Sequence, residues 1–481
     1  MPGYLRRLLR TGAAYQASDV LAKVIALALL PVYTRALTRG DYGTAELLLT
    51  TVILVSIVVR LGLGEAFLRF YFVDAADARR RRVARTATGV VLATSTLVAG
   101  AAAVFAGPLS EALLGDERPA EWRAAMLGVW SFTNLEVAYA LLRAEERTRP
   151  YLVASLVNVG LTVAASLVLV VALDEGAFGL LLGNFGASAV VLLGLWWVLR
   201  DRLARPAEAG PGALRGMLRF GLPTVPAEVS VFALFFVDRF WLYRFESEAA
   251  AGLYSLAIKL AAAVIFTVRA FQLAWPPLAY SIADDAEARR IYARIATAYA
   301  AVSGAVVLAL ALLGPWVVRL FAAPEFHEAQ DALPWVALGW ALYGLFLVLV
   351  AMAGRAQVTV RNAPAALCGL VANVAALALL VPEFGIAGAG VALCVAYVVM
   401  LVAMYAATRS LFPVDFEWAK LGTVAAALAA AWALGVLASA DEGAGPLAVR
   451  ALLALLGSAV MLEAAGVRSL LARRRRAPAP G

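Results

Sequence analysis

Runs of about twenty apolar residues follow one another from one end of the chain to the other, separated by short polar breaks. A run of that length crosses the hydrocarbon core of a bilayer as a single helix. Inside a bilayer no water can pair with a backbone N–H or C=O, so only helices and closed barrels span it. Barrel strands would alternate apolar with polar residues over about ten positions, and these runs are too long and too uniform for that. Hydrophobic residues make up 63% of the chain and charged residues 15%, against about a quarter charged in a soluble domain. The sequence therefore predicts an all-α polytopic membrane protein. About fourteen segments are expected, at roughly 13–34, 43–66, 86–107, 122–142, 150–173, 177–199, 216–238, 250–276, 295–320, 332–354, 360–381, 385–408, 419–439 and 446–467. Asn134 and Glu136 interrupt the fourth.

The chain also matches itself. At an offset of 209 residues Asp19 meets Glu228, Arg35 meets Arg244, Gly43 meets Gly252, Arg60 meets Arg269 and Tyr71 meets Tyr280. The match continues through Arg80, Arg81 and Arg85 against Arg289, Arg290 and Arg294, and returns where Gly176 and Gly179 meet Gly385 and Gly388. Six segments repeated in the same orientation give two parallel halves related by an axis along the membrane normal, an organisation typical of transporters. The expected division is an N-lobe over 1–200, a Pro, Gly and Arg-rich linker over 201–215, a C-lobe over 216–410, and segments 13 and 14 with a basic tail over 411–481.

Charge asymmetry gives the orientation. Of the 41 Lys and Arg residues, most fall on the side shared by the two termini, whereas the other side carries Asp116-Glu117, Asp174-Glu175 and Asp441-Glu442. By the positive-inside rule both termini are cytoplasmic and the protein is a multi-pass protein of the cell (inner, plasma) membrane. Arg6, Arg7 and Arg10 precede a first segment that carries Asp19 and Lys23 and lacks a small-residue cleavage site, so it is expected to stay as a helix. The formal charge of +8 reflects anchoring at an anionic leaflet, and no nucleic-acid partner is expected. Cys368 and Cys394 read as small core residues. His327, the single histidine, sits among Glu325 and Glu328 and reads as a solvated surface residue.

Charges inside the spans carry the functional reading, because each costs about 2.5 to 3.5 kcal/mol at mid-bilayer and normally faces a cavity or a partner. Asp19 and Lys23 are four apart and could neutralise each other. The second half keeps an acid, Glu228, but has Phe232 in place of Lys23, so Glu228 needs a partner from another helix, with Arg269 or Arg219 as candidates. Arg60 and Arg269 either snorkel to the interface or converge across the repeat axis, where two guanidinium groups can hold a diphosphate bidentately. Lys259, opposite Thr50 in the first half, would guide an anion along the path. Trp241, Trp275, Trp316, Trp335 and Trp418 fit an interfacial aromatic belt. No break is long enough for a separate catalytic domain and no Walker-type phosphate loop occurs, so an enzyme is not expected.

The run LLPVYTRALTRGDYGTAELLLT, chiefly Tyr33-Thr34-Arg35 and Asp41-Tyr42-Gly43, and its echo RFWLYRFESEAAAGLYSLAIKL resemble the polysaccharide (O-antigen) flippases of the multidrug/oligosaccharidyl-lipid/polysaccharide exporter superfamily. That resemblance implies translocation of an undecaprenyl-diphosphate-linked oligosaccharide from the cytoplasmic to the outer leaflet by alternating access. It also implies partnership with polysaccharide polymerase and assembly proteins. The related lipid II flippases carry cavity-facing cations on helices 1, 2 and 8, matched here by Lys23, Arg60 and Arg269, and a lipid groove at helices 13 and 14. No cofactor is expected beyond coupling to a Na+ or H+ gradient, with Asp19 and Glu228 as the candidate acids. A lipid II flippase or a cation-coupled multidrug antiporter of the same superfamily are the alternatives, and a membrane glycan polymerase or ligase is a distant one.

Overall fold

The computed structural model describes residues 21–73, 76–203, 211–356, 358, 361–438 and 443–466. Among these the chain is helical throughout, with no strand. In order the helices are α1 (Leu30–Ala36), α2 (Arg39–Val59), α3 (Leu63–Phe72), α4 (Asp77–Val104), α5 (Ala106–Leu114), α6 (Pro119–Ala144), α7 (Thr148–Ser166), α8 (Gly176–Val198), α9 (Arg200–Leu203), α10 (Pro211–Gly221), α11 (Val225–Phe245), α12 (Glu248–Leu260), α13 (Ala262–Ser281), α14 (Asp285–Phe321), α15 (Leu333–Arg355), α16 (Asn362–Thr408), α17 (Trp418–Ala438) and α18 (Ala444–Ala464).

Among the described residues 11 helices are long and apolar enough to cross a membrane, or up to 12 if the bent pair Ala213–Ser230 and Phe232–Phe245 is one span. The protein is a multi-pass membrane protein. The expected fourteen are not reached by this measure, for physical reasons that can be named. α16 holds the eleventh and twelfth expected segments in one run of 47 residues, with non-helical backbone at Gly385. The second and eighth are broken, at Arg60–Gly62 and at Ala261, but α2 and α13 each still count as a span; the seventh enters only as the bent pair. The first expected segment lies partly outside the described residues.

The chain divides into two compact units, Met1–Gly252 and Leu253–Gly481. In the first, α6 packs on α8, α4 and α2, α7 packs on α8, and α11 lies along α2. Its core gathers Leu63, Phe67, Leu141, Leu142, Leu192 and Met217. In the second, α15 packs on α16, α13 and α14, while α17 and α18 dock on α14 through Leu308, Leu312, Ala431, Ala454 and Met461. Lipid competes for apolar contact, so helices associate here through close packing and small residues. The outward stripes stay apolar for the same reason: Leu437 is 82% exposed and Leu379 74%. Trp275, expected in an interfacial belt, is instead buried, stacked on Phe271 at 5.8 Å and edge-on to Tyr292 at 4.7 Å. Cys394 is buried and donates to the Trp335 carbonyl, whereas Cys368 is exposed.

Repeat partners play equal local parts. Gly176 and Gly385 both sit at positive φ, 50° and 52°, each where one apolar helix gives way to the next. At Gly385 the pair φ 52°, ψ −131° is closed to L side chains although open space surrounds the α carbon. Gly385→Ala is therefore expected to lower stability by about 1 to 3 kcal/mol through backbone strain alone. The check is thermal unfolding of the purified protein beside Gly422→Ala, a helical site with equal room, which should not lose stability.

Candidate functional site

α2 starts on a reciprocal cap. The Thr38 hydroxyl accepts from Asp41 N–H at 3.0 Å and donates to the Asp41 carboxylate at 2.6 Å, satisfying an open first-turn donor. Tyr42 then buries completely. Gly43 follows, against the repeat partner Gly252, in a reciprocal crossing. A Cβ on Gly43 would strike the Glu248 carbonyl oxygen and come within 2.9 Å of Gly252 N; one on Gly252 would strike the Arg39 carbonyl oxygen and come within 3.1 Å of Gly43 N. Arg39 and Glu248 are themselves repeat partners, so the crossing is two-fold in its details. The Asp41-Tyr42-Gly43 motif is thus explained by a cap, a core aromatic and a backbone contact. Tyr33-Thr34-Arg35 is likewise structural: Thr34 and Arg35 donate to the carbonyls of Leu30 and Pro31.

Over this crossing lies a polar cluster at one end of the unit. Arg118, just before α6, pairs with Glu248 at 2.6 Å and donates to Thr44 at 3.1 Å. Tyr243, near the end of α11, lies 2.9 Å from the Thr44 hydroxyl and donates to Glu248 at 3.3 Å. The cluster ties α2 and the start of α6 to α11 and α12.

Farther along, α2 ends at Arg60. Leu61 and Gly62 have φ of 53° and 67°, and α3 begins after them. Such a break frees carbonyls that need donors. Thr94 of α4 supplies one to Val59 at 3.0 Å, and Arg60 N–H and its Nε both bond Ser56 O. Gly62 faces Gly221, backbone to backbone, just before α11. The Arg60 guanidinium reaches Glu228 on α11 at 3.4 Å, with the side chains 21% and 46% exposed. The partner of Glu228 is therefore Arg60, where Arg269 or Arg219 were expected. The pair is long and half open, so its counter-ion is exchangeable at modest cost. Asp19 lies outside the described residues; Lys23 is exposed in the helical stretch 21–28.

In the second unit Arg269 is exposed on α13 and donates to Gln272 at 3.1 Å, one turn on. Lys259 is half-buried near the end of α12. Sequence reasoning passed over two acids that the structure buries, Glu46 on α2 at 5% exposure and Asp238 on α11 at 2%. Glu46 follows the repeat motif within a hydrophobic stretch, where it could have been noticed. Asp238 stood at the expected end of a span, where a carboxylate raises no question.

The sequence profile of the polysaccharide biosynthesis protein family matches residues 8–283. The chain belongs to that family. No curated protein sequence matches it. Among solved structures, a lipid II flippase, MurJ, in an inward closed conformation matches with a TM-score of 0.74 at 11% identity, over 96% of this chain and 100% of the other. A multidrug resistance MATE family transporter of the MOP superfamily matches in an inward-facing form with a TM-score of 0.62 at 16% identity, over 81% of this chain and 98% of the other. An outward-facing form gives 0.54 at 15%, over 84% and 94%. The fold is that of the MOP superfamily transporters and flippases.

Proposed function

We propose that the protein flips an undecaprenyl-diphosphate-linked oligosaccharide from the cytoplasmic to the outer leaflet of the cell membrane, with both termini cytoplasmic. The observation that carries this reading is the Arg60–Glu228 pair: a guanidinium at the end of an apolar helix, bonded to Ser56 O and reaching, by one long contact, a carboxylate that remains 46% exposed. A diphosphate offers more charge and a bidentate fit. It would displace Glu228 from Arg60, leaving that acid to take up a proton or a cation. Cargo capture and coupling would then be two sides of one exchange. Arg269, Lys259 and Lys23 are the further cations assigned to the path, and Asp19 the second coupling acid. Polysaccharide polymerase and assembly proteins are the expected partners, and no catalytic step is assigned to the chain. The fold alone serves a lipid II flippase or a cation-coupled antiporter equally well; the cations within the spans favour an anionic cargo.

The test is translocation of a fluorescent undecaprenyl-diphosphate oligosaccharide in proteoliposomes. Arg60→Ala and Arg269→Ala, each confirmed folded, should lose about ten-fold or more, the loss of one charge-assisted contact. Glu228→Gln should keep cargo binding and lose its dependence on the ion gradient. Arginine variants that keep pace with the intact protein would overturn the diphosphate assignment.

A further inference from the structure

A cavity of about 930 Å³ opens in the second unit between α14, α15 and α17. Its walls are apolar and aromatic, with Leu338 on α15 and Leu428 and Leu437 on α17, and Trp335 and Trp432 meeting across it with ring centroids 4.8 Å apart. Leu437 and Val436, 82% and 61% exposed, form its outer lip, so it opens to the surface that lipid covers. One end is different. Gln330 and Asp331, where the 3₁₀ segment Pro324–Asp331 turns into α15, close it with polar groups. Among the described residues no hydrogen bond or ion pair reaches the Asp331 carboxylate. Partial burial and the neighbouring Glu328 hold that carboxyl above its usual range, as expected of an acid with no cation beside it.

We propose that this cavity holds a membrane phospholipid with a primary ammonium headgroup, the ammonium on Asp331 beside the two indoles and one acyl chain laid along α17. The chemistry selects this occupant. A carboxylate beside aromatic faces attracts an ammonium, whereas phosphatidylglycerol or a prenyl diphosphate brings anionic charge toward Asp331 and Glu328 and is repelled. The α17 wall from Ala425 to Leu437 is about 18 Å long at 1.5 Å per residue, close to one leaflet of a hydrocarbon core about 30 Å thick. The volume falls within the roughly 300 to 1,000 Å³ of binding cavities. The inference does not depend on which lipid the protein transports.

Native mass spectrometry of the full-length protein, released from nanodiscs containing equal phosphatidylethanolamine, phosphatidylcholine and phosphatidylglycerol, reads the site directly. The intact protein should retain phosphatidylethanolamine over both others. Asp331→Asn, a nearly isosteric change, should weaken that retention about five-fold, as for one half-exposed charge contact. Leu338→Trp, which narrows the cavity at its α15 wall, should weaken retention, while Asp331→Asn still reports on the headgroup if the larger side chain fails to pack. Equal retention of phosphatidylglycerol, an unchanged preference in Asp331→Asn, or displacement of the lipid by a prenyl diphosphate would each overturn the proposal.

Discussion

Gly43→Ala is expected to cost about 3 kcal/mol, the upper end of the range for overpacking, or to prevent assembly of the first unit. The added methyl has no side chain to push aside. Its obstacles are the Glu248 carbonyl oxygen and the Gly252 nitrogen, both backbone, so relief requires α2 and α12 to part at their crossing. Parting them stretches the Thr44, Tyr243, Arg118 and Glu248 contacts that close over it. Gly252→Ala should cost as much, because its methyl meets Arg39 O in the reciprocal arrangement. The double variant should cost less than the sum, since one separation accommodates both methyl groups. Thermal unfolding in detergent measures all three beside Gly64→Ala, a helical glycine with nothing within 4 Å, which should be neutral or gain up to about 1 kcal/mol. A Gly43→Ala protein that melts with the parent would mean that the crossing is not a close contact in the membrane.

The sequence repeat was the most informative guide to such positions, and the structure shows why. Gly43 and Gly252 were visible as partners because a backbone crossing tolerates no other residue, and Gly176 and Gly385 because both need the same unusual φ. Local necessities of this kind leave a residue-level mark. The break after Arg60 left a weaker mark, Gly62 and Gly64 between Arg60 and Glu65, because the donor that stabilises it, Thr94, belongs to another helix. The partner of Glu228 was also hidden, since the choice among Arg60, Arg219 and Arg269 depends on how α11 lies along α2. Trp275 was misjudged for a related reason, because nearness to a span's end in sequence says nothing of which face packs against Phe271 and Tyr292. Periodic and repeated features were legible, and long-range pairings were not.

The Arg118–Glu248 pair offers the second large effect. Side-chain exposures of 23% and 41% alone would make it a weak bridge. Its setting raises its worth, because Thr44 and Tyr243 complete the hydrogen bonding of both ions and the glycine crossing fixes the helices beneath them. Glu248→Arg puts two guanidinium groups where 2.6 Å separated opposite charges and also removes the acceptor that Tyr243 uses. The expected loss is about 2 to 3 kcal/mol, between the values for exposed and buried pairs. Arg118→Glu should lose a similar amount. The exchanged double variant should regain at least half of the deficit, giving a coupling energy above about 1 kcal/mol in a double-mutant cycle. Tyr243→Phe should cost less than either charge change, near the 1 kcal/mol of a single hydrogen bond. This ranking separates a charge latch from simple packing: if the exchanged variant is no more stable than the two single variants, the cluster owes its place to the glycine crossing beneath it, and the ions merely follow.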